Sequence, residues 1–444
     1  MINSFSRREF LSTAGKAFAL LPVASYSCLQ SCGGGKSSTN QGPVLPPPYQ
    51  GTDAQLLDDI EQTSFNYFWE QAHPATGLVK DRAKAAGNDN YIAASIAAVG
   101  FGLSALCIGD ARGYQPSATI QQRVITTLNT LLNTAAGNQG FFYHFLDWST
   151  GRRMWNCELS TIDTALLLCG VLTARKYFGS NQQIVDMATQ IYNRANWPWF
   201  LNGDTTLSMG WKPESGFLSA RWNHYCELMM IYLLGIGSPT FPLPASSWSA
   251  WTRPTYTYQG ITYISAGDPL FTHQYSHAWF DFRNKHDAFA DYFQNSVKAT
   301  QAHKAFCLSL SSQYPDYADD LWGITASDSA NGYQAWGGPP ATGTIDGSIV
   351  PCAAGGSIPF LYADCMKVLR RLRGSYAAGA WGHYGLLDAF NPLTNWYNPD
   401  VLGIDLGITM LMAENQRTGL IWNTFMSNPE AQQAMQLAGF VANS

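Results

Sequence analysis

The chain has 444 residues and a formal net charge of −5; 13% of its residues are charged and 14% are Trp, Tyr or Phe. That balance excludes a disordered or coiled-coil protein and, with no basic run, a nucleic-acid surface. Scarce charge with abundant aromatics and 40 Gly suits a groove for a neutral polar ligand such as a glycan, and equally a large aromatic core.

The first thirty-odd residues read as an address. Ser6-Arg7-Arg8-Glu9-Phe10-Leu11 matches a twin-arginine export pattern, and the apolar segment 17–24 behind it is too short to span a membrane as a mature helix. Leu29-Gln30-Ser31-Cys32-Gly33 reads as a lipobox with Cys32 acylated and Cys28 as second choice. This division gives an export signal over 1–32, a Gly/Ser-rich then Pro-rich tether over 33–51 and a folded part over 52–444. The expected location is periplasm or outer membrane, with the membrane met only through the lipid. The folded part, roughly 390 residues, can bury a large core as one toroid or two domains. It has no run of the roughly 18 apolar residues that a membrane span needs.

Apolar spacing predicts a helix over 53–71, carrying Leu56, Leu57, Ile60, Phe65 and Phe68. After a break at 73–77, Asp81-Arg82 forms a surface pair or sends Arg82 into a cleft. Residues 91–108 are almost all apolar, which predicts a helix buried on several sides, whereas 117–134 is amphipathic.

The stretch 140–168 carries the densest chemistry. Asp147 lies within an aromatic cluster, Arg152 and Arg153 follow a turn, and Glu158 and Asp163 stand at the entrance of an apolar helix. Ser160 or Thr161 can cap that helix, with Asp163 in its first turn. Carboxylates ringed by aromatics and Arg are what glycoside cleavage needs; a capped helix beside an aromatic core patch looks the same. An amphipathic helix over 182–195 follows, then Trp211 in a loop. Next, Arg221, His224 and Glu227 crowd the start of another apolar helix. Two acidic residues at the mouths of two buried helices can face each other. The alternation of buried and amphipathic helices predicts two concentric helix rings.

Residues 255–265 alternate aromatic and polar and turn at Gln259-Gly260, which predicts a hairpin. His273 and His277 stand four apart without a ligating carboxylate, so a sugar-binding or supporting role is favoured and no metal is expected. A helix over 286–311 precedes a Gly-rich loop over 314–348 with Trp322, Asp328, Tyr333 and Trp336, predicted as a wall of the substrate groove. Helix or turn is expected over 356–372 and 385–391, and helix over 408–417. Seven Cys follow the signal, scattered and without a CxxC pair, so at least one stays a free thiol, most are expected as buried small hydrophobes, and one disulfide is allowed without its pairing being fixed.

The folded region resembles the glycoamylase-like family of bacterial proteins, which includes the endo-β-1,2-glucanases of glycoside hydrolase family 144. The matching stretches are 77–82 (GLVKDR), 95–103 (SIAAVGFGL), 142–164, 210–227, 322–328 (WGITASD), 382–391 (GHYGLLDAFN) and 396–415. The resemblance implies an all-α (α/α)6 toroid with long aromatic and Gly-rich loops, inverting hydrolysis of a glucan, β-1,2-glucan first, and no cofactor. Carried onto this sequence, it implies catalytic carboxylates among Glu158, Glu227, Asp147 and Asp163. Arg82, Arg153 and Arg221 would bind hydroxyls or orient carboxylates, and Trp211, Trp322 and Trp336 would stack sugar rings. His224, His273, Asp328, Tyr333 and Tyr384 complete the expected substrate contacts. A glucanase or glucosidase on another linkage, a transferase, and a glycan-binding lipoprotein without catalysis remain alternatives.

Overall fold

Two buried helices begin alike. Ser95 and Ser160 hold extended backbone, and their hydroxyls accept the amides of Ala98 and Asp163. Each so satisfies one of the four N–H groups that a helix start leaves without a partner. Of the two caps the sequence allowed before the second helix, Ser160 is the one used. The computed structural model describes residues 45–443 except 268 and 340–342. The expected export signal, with Cys32, and residues 33–44 of the expected tether lie outside the described residues.

In chain order the helices are α1 (Asp53–Glu70), α2 (Ile96–Arg112), α3 (Ser117–Asn133), α4 (Thr161–Tyr177), α5 (Gln182–Asn193), α6 (Met229–Ile236), α7 (Tyr292–Ser309), α8 (Pro351–Gly355), α9 (Tyr362–Gly374), α10 (Ala377–Ala380), α11 (Gly403–Arg417), α12 (Leu420–Met426) and α13 (Pro429–Leu437). Helices α2, α4, α6 and α11 are buried along nearly their whole length, whereas α1, α3 and α5 bury one face. The reason is composition: α2, α4 and α6 carry apolar or small residues on nearly every side, whereas α1, α3 and α5 confine their apolar residues to one face.

Helices α2 and α4 touch backbone to backbone. A Cβ on Gly100 would overlap the Leu166 carbonyl, and one on Gly170 would overlap the Gly100 carbonyl. Gly403 of α11 approaches α2 as closely: a Cβ there would lie 2.9 Å from the Ala98 methyl. Farther along, Tyr177 of α4 donates to Asp110 of α2 (3.0 Å) and a Cβ on Gly407 of α11 would meet the Phe101 ring of α2, so these three helices run parallel with their N-termini at one end. Backbone bonds lace that end. Ile96 N–H donates to His144 O (3.1 Å), His144 N–H to Glu158 O (2.9 Å), Thr161 N–H to Met209 O (3.4 Å) and Gly403 N–H to Asp81 O (2.8 Å). The C-terminus of α1 returns to the same end, where Lys80 N–H donates to Gln71 O (3.0 Å).

Short antiparallel ribbons precede the buried helices. Ala93–Ser95 pairs with Phe145–Asp147, Arg82–Lys84 with Asp400–Leu402, and Leu159–Ser160 with Gly210–Lys212. These pairings explain where the expected boundaries moved. The helix expected from 91 starts at Ile96 because 93–95 is spent on a ribbon. The helix expected from 286 starts at Tyr292, where Asp291 accepts Gln294 N–H (2.9 Å). Residues 385–391 contribute strands rather than helix, paired with Trp381–Gly382 and Trp396–Tyr397. Thr255–Tyr258 pairs with Ile261–Ile264 across Gln259 and Gly260, both at positive φ.

The seven Cys of the folded part are all buried free thiols. Among the described residues no helix is long and apolar enough to cross a membrane.

The α2–α4 contact has no room for a side chain. Gly170→Ala is expected to destabilise the fold by about 1–3 kcal/mol, as overpacking does. Urea denaturation followed by circular dichroism measures this, and an unchanged midpoint would mean that the two backbones can part without cost.

Candidate active site

The laced end gathers carboxylates because helix N-termini present unpaired N–H groups and positive dipole ends. Glu158 immediately precedes the Leu159–Ser160 strand, and its partner strand brings Gly210 alongside: a Cβ on Gly210 would lie 2.7 Å from Glu158 Cγ. Asp163 occupies the third position of α4, and the Ser160 hydroxyl donates to its Oδ2. His144 stands between these two acids. Its Nδ1 is 3.2 Å from Glu158 Oε1 and its Nε2 is 3.6 Å from Asp163 Oδ2. The Phe145 ring stacks on the imidazole at 3.9 Å.

Glu227 lies in the turn leading into α6 and, like Glu158, is 6% exposed. The Ser276 hydroxyl donates to Glu227 O (2.8 Å) and accepts Met230 N–H (3.1 Å), which fixes this helix start. Trp222 Nε1–H donates to Thr161 Oγ1 (2.7 Å), so the segment before α6 is tied to the first residue of α4. The two helix mouths that carry Glu158 and Glu227 are therefore mechanically joined.

Ligating atoms of His144, Glu158 and Asp163 lie within 4.8 Å of one another, close enough to hold a cation. Each imidazole nitrogen faces a different carboxylate, however, with Nδ1 at hydrogen-bond distance from Glu158 and Nε2 at ion-pair distance from Asp163. Three lone pairs converging on one point would suit a metal better.

A second charged cluster sits at the mouth of α11. Arg82 Nη1 donates to Asp328 Oδ2 (2.7 Å), with Asp81 at 3.3 Å and Asp400 at 3.7 Å from the same guanidinium. Asp388 Oδ2 accepts Asp328 N–H (2.8 Å) and Asn398 Nδ2–H (2.7 Å). Burial, then the neighbouring Asp405 and Asp328, push the Asp388 carboxyl well above the usual carboxylate range, and it shares a hydrogen bond with Asp405. Like Asp163, Asp405 is the third residue of its helix.

Several expected site residues have other work. Asp147 Oδ1 accepts the amides of Ser149 (3.0 Å) and Thr150 (2.8 Å) and both hydroxyls, so it staples a turn. Burial raises its carboxyl, but those bonds outweigh burial and hold it below its ordinary value, which unsuits it as an acid. Arg221 is consumed by the 201–206 loop, donating to Thr206 Oγ1 (3.0 Å), Leu201 O (2.7 Å) and Thr206 O. Trp322 and Trp336 are 0% and 2% exposed, and such buried rings offer no face to a sugar. His273 is a core residue, 3.1 Å from the Tyr225 hydroxyl, and burial pushes it down to about 3. Buried Tyr384 anchors the end of α1 through Gln71 (2.5 Å) and Glu70 (3.2 Å).

Others stay at or near the rim. Arg153 binds Glu214 (2.6 Å) and donates to Cys157 O (2.6 Å), bracing the loop that delivers Glu158. Trp211 is half-buried, on the ribbon face of Leu159 and opposite that of Glu158. His224, half-buried, contacts Asn223 Oδ1 at 3.0 Å. Tyr333 is half-buried on the turn closed by Ser327 and Gln334. His144, Asp388, Asn398 and Asp405 join the candidate site without having been expected there from the sequence. For Asp405 a signal existed: Leu402-Gly403-Ile404-Asp405 repeats the spacing of Ser160-Thr161-Ile162-Asp163 at a helix start.

A family model, "Glycoamylase", described as "Putative glucoamylase", matches residues 219–429. The crystal structure of a "putative glucoamylase" from Bacteroides uniformis is 30% identical with TM-score 0.83, covering 88% of this chain and 98% of that one. The endo-β-1,2-glucanase from Chitinophaga pinensis, solved with sophorotriose and glucose, is 28% identical with TM-score 0.83, covering 88% and 99%. An exo β-1,2-glucooligosaccharide sophorohydrolase (non-reducing end) of Parabacteroides distasonis is 29% identical, covering 96% of this chain. The chain spans 63% of that relative's length.

The raised Asp388 carboxyl has a consequence for stability. A group whose folded value exceeds its unfolded value of about 3.9 contributes stability that is full below that pH and is lost as pH rises through the folded value. Asp388→Asn keeps the hydrogen bonds of the protonated form but cannot ionise. Thermal melts between about pH 5 and pH 8 should show wild-type stability falling more steeply than that of the variant. Parallel curves would mean that Asp388 ionises as freely in the folded chain as in the unfolded one.

Proposed function

The chain belongs to the glycoamylase-like family, and from that premise we propose that it hydrolyses a β-1,2-linked glucan with inversion. The observation that carries this reading is the pair of buried carboxylates, Glu158 and Glu227, at two helix mouths joined through Thr161 and Trp222. Inversion needs one carboxyl that protonates the leaving oxygen and a second that activates water on the opposite ring face.

The surroundings divide these roles. As the imidazolium, with carboxylates facing both of its nitrogens, His144 donates from Nδ1 to Glu158 at 3.2 Å and favours the ionised carboxylate. Glu158 is therefore the general base that draws a proton from water. Glu227, buried at the start of an apolar helix, is the general acid. His144 and Asp163 act as positioning residues for Glu158. Arg82 and Asp328 form a fixed polar wall for substrate hydroxyls.

The architecture that goes with this reading is an (α/α)6 toroid; the parallel set α4, α2 and α11, with α1 returning outside it, supports it. The chain acts after export, anchored through Cys32, in the periplasm or at the outer membrane.

The test is incubation of the purified protein with linear β-1,2-glucan and, in parallel, soluble starch, with products followed by anomer-resolved NMR. Short β-1,2 oligomers appearing first as the α anomer are expected. Products from starch alone would overturn the substrate, and a first-formed β anomer would overturn inversion. Glu158→Gln and Glu227→Gln should each lower kcat by roughly 10²–10⁴-fold, the range of lost acid–base catalysis, while calorimetric binding of the oligomers persists.

A further inference from the structure

Trp155 is placed where the fold alone gives it no reason to be. It is 57% exposed, the highest fraction among the exposed large apolar side chains of the described residues. It sits in a four-residue turn closed by Cys157 N–H to Met154 O (3.1 Å), and both central residues have positive φ, +53° for Trp155 and +52° for Asn156. Such a turn favours Asn-Gly, because a Cβ at positive φ crowds the following carbonyl. Asn156 tolerates that conformation; a Trp does not. The sequence thus accepts backbone strain and an exposed indole at one position.

The turn is held firmly. Arg153 Nε donates to Cys157 O (2.6 Å), its guanidinium grips Glu214 (2.6 and 3.0 Å), and it lies over the Tyr143 ring at 4.6 Å. Met154 N–H donates to Phe145 O (3.0 Å). The turn ends one residue before Glu158, so a displacement of Trp155 would be felt at the candidate base.

Three rings lead inward from it. Trp155 meets Phe145 edge to face at 5.2 Å, Phe145 stacks on His144 at 3.9 Å, and His144 touches Glu158. We propose that Trp155 is a sugar-stacking platform at the rim of the site, which binds a glucose unit of the glucan two ring contacts away from His144. The C–H face of a pyranose is apolar and flat, and an indole fixed on a strained turn meets it with little entropy left to lose. The inference rests on the glucan-hydrolase reading and names which substrates that site prefers: chains long enough to reach from Glu158 to the rim.

The experiment is a chain-length series of β-1,2-gluco-oligosaccharides with wild type, Trp155→Asn and Trp155→Phe, read as kcat/KM for each length and as calorimetric affinity. For Trp155→Asn the ratio of kcat/KM for long over short chains should fall about tenfold, the size of one good aromatic contact. The loss should appear in KM, and Trp155→Phe should restore most of it. Strain relief and lost packing on Phe145 oppose each other, so the melting temperature of Trp155→Asn should stay within about 2 °C of wild type. An unchanged length dependence in Trp155→Asn, with wild type active, would overturn the platform alone. So would a uniform loss at all lengths together with a large drop in melting temperature, which would make Trp155 a structural residue. A wild type that neither cleaves nor binds β-1,2-glucan would remove both the hydrolase reading and the platform.

Discussion

The close parallel contact of α2 and α4 is the constraint on which the site depends. Gly100 and Gly170 let the two backbones meet, and no other residue fits there. Parallel helices packed this tightly must start at the same end, and α11 joins them through Gly403. Their positive ends therefore crowd together. Acidic side chains in the first turns, Asp163 and Asp405, offset that crowding, so the carboxylates of the site also stabilise the fold.

The ribbons between helices do the aiming. A strand of two or three residues has little stability of its own, but one strand of each pair runs straight into a helix start: Ser95 into α2, Ser160 into α4 and Leu402 into α11. The Leu159–Ser160 strand illustrates the effect. Ser160 caps α4, Leu159 is buried in the core, and Glu158 is left against Gly210 with His144 across from it. A carboxylate supported in this way has little freedom left to lose when a ligand binds.

Charge is scarce in this chain, and much of it is concentrated near that end. Lys80 pairs with Asp89, Lys84 with Asp400, and Arg82 with Asp328. Buried or half-buried pairs of this kind contribute little net stability, because desolvation offsets attraction. Their effect is geometric: they hold loops that would otherwise move. Most of the Trp residues serve the core in the same spirit, with Trp197, Trp222, Trp248, Trp251, Trp279, Trp322, Trp336 and Trp422 all buried. Trp155 departs from that pattern.

Local physics made part of this legible in the sequence. Apolar spacing located α1, α3 and α5 to within a residue or two, and the capping residues before α4 marked its start. Stretches shared with a known family pointed to glycoside chemistry before any coordinates. Other features depend on partners far along the chain. Arg82 meets Asp328, far along the chain, from a strand paired with Asp400–Leu402, and His144 meets Glu158 and Asp163 because Tyr143 bridges to Leu159 and His144 N–H donates to Glu158 O. Neither pairing leaves a local trace, and the polar residues spent on them look in sequence like free ligand contacts. Hence Arg221, Asp147 and His273 read as site residues and proved to be fasteners, while His144, Asp388 and Asp405 passed unnoticed. The sequence by itself determined the amphipathic helices, because those follow from neighbours a few residues apart, and stretches shared with a family carried the class of chemistry. Which side chains face one another was decided only by the tertiary structure, because backbone pairing between distant segments sets the direction of each one.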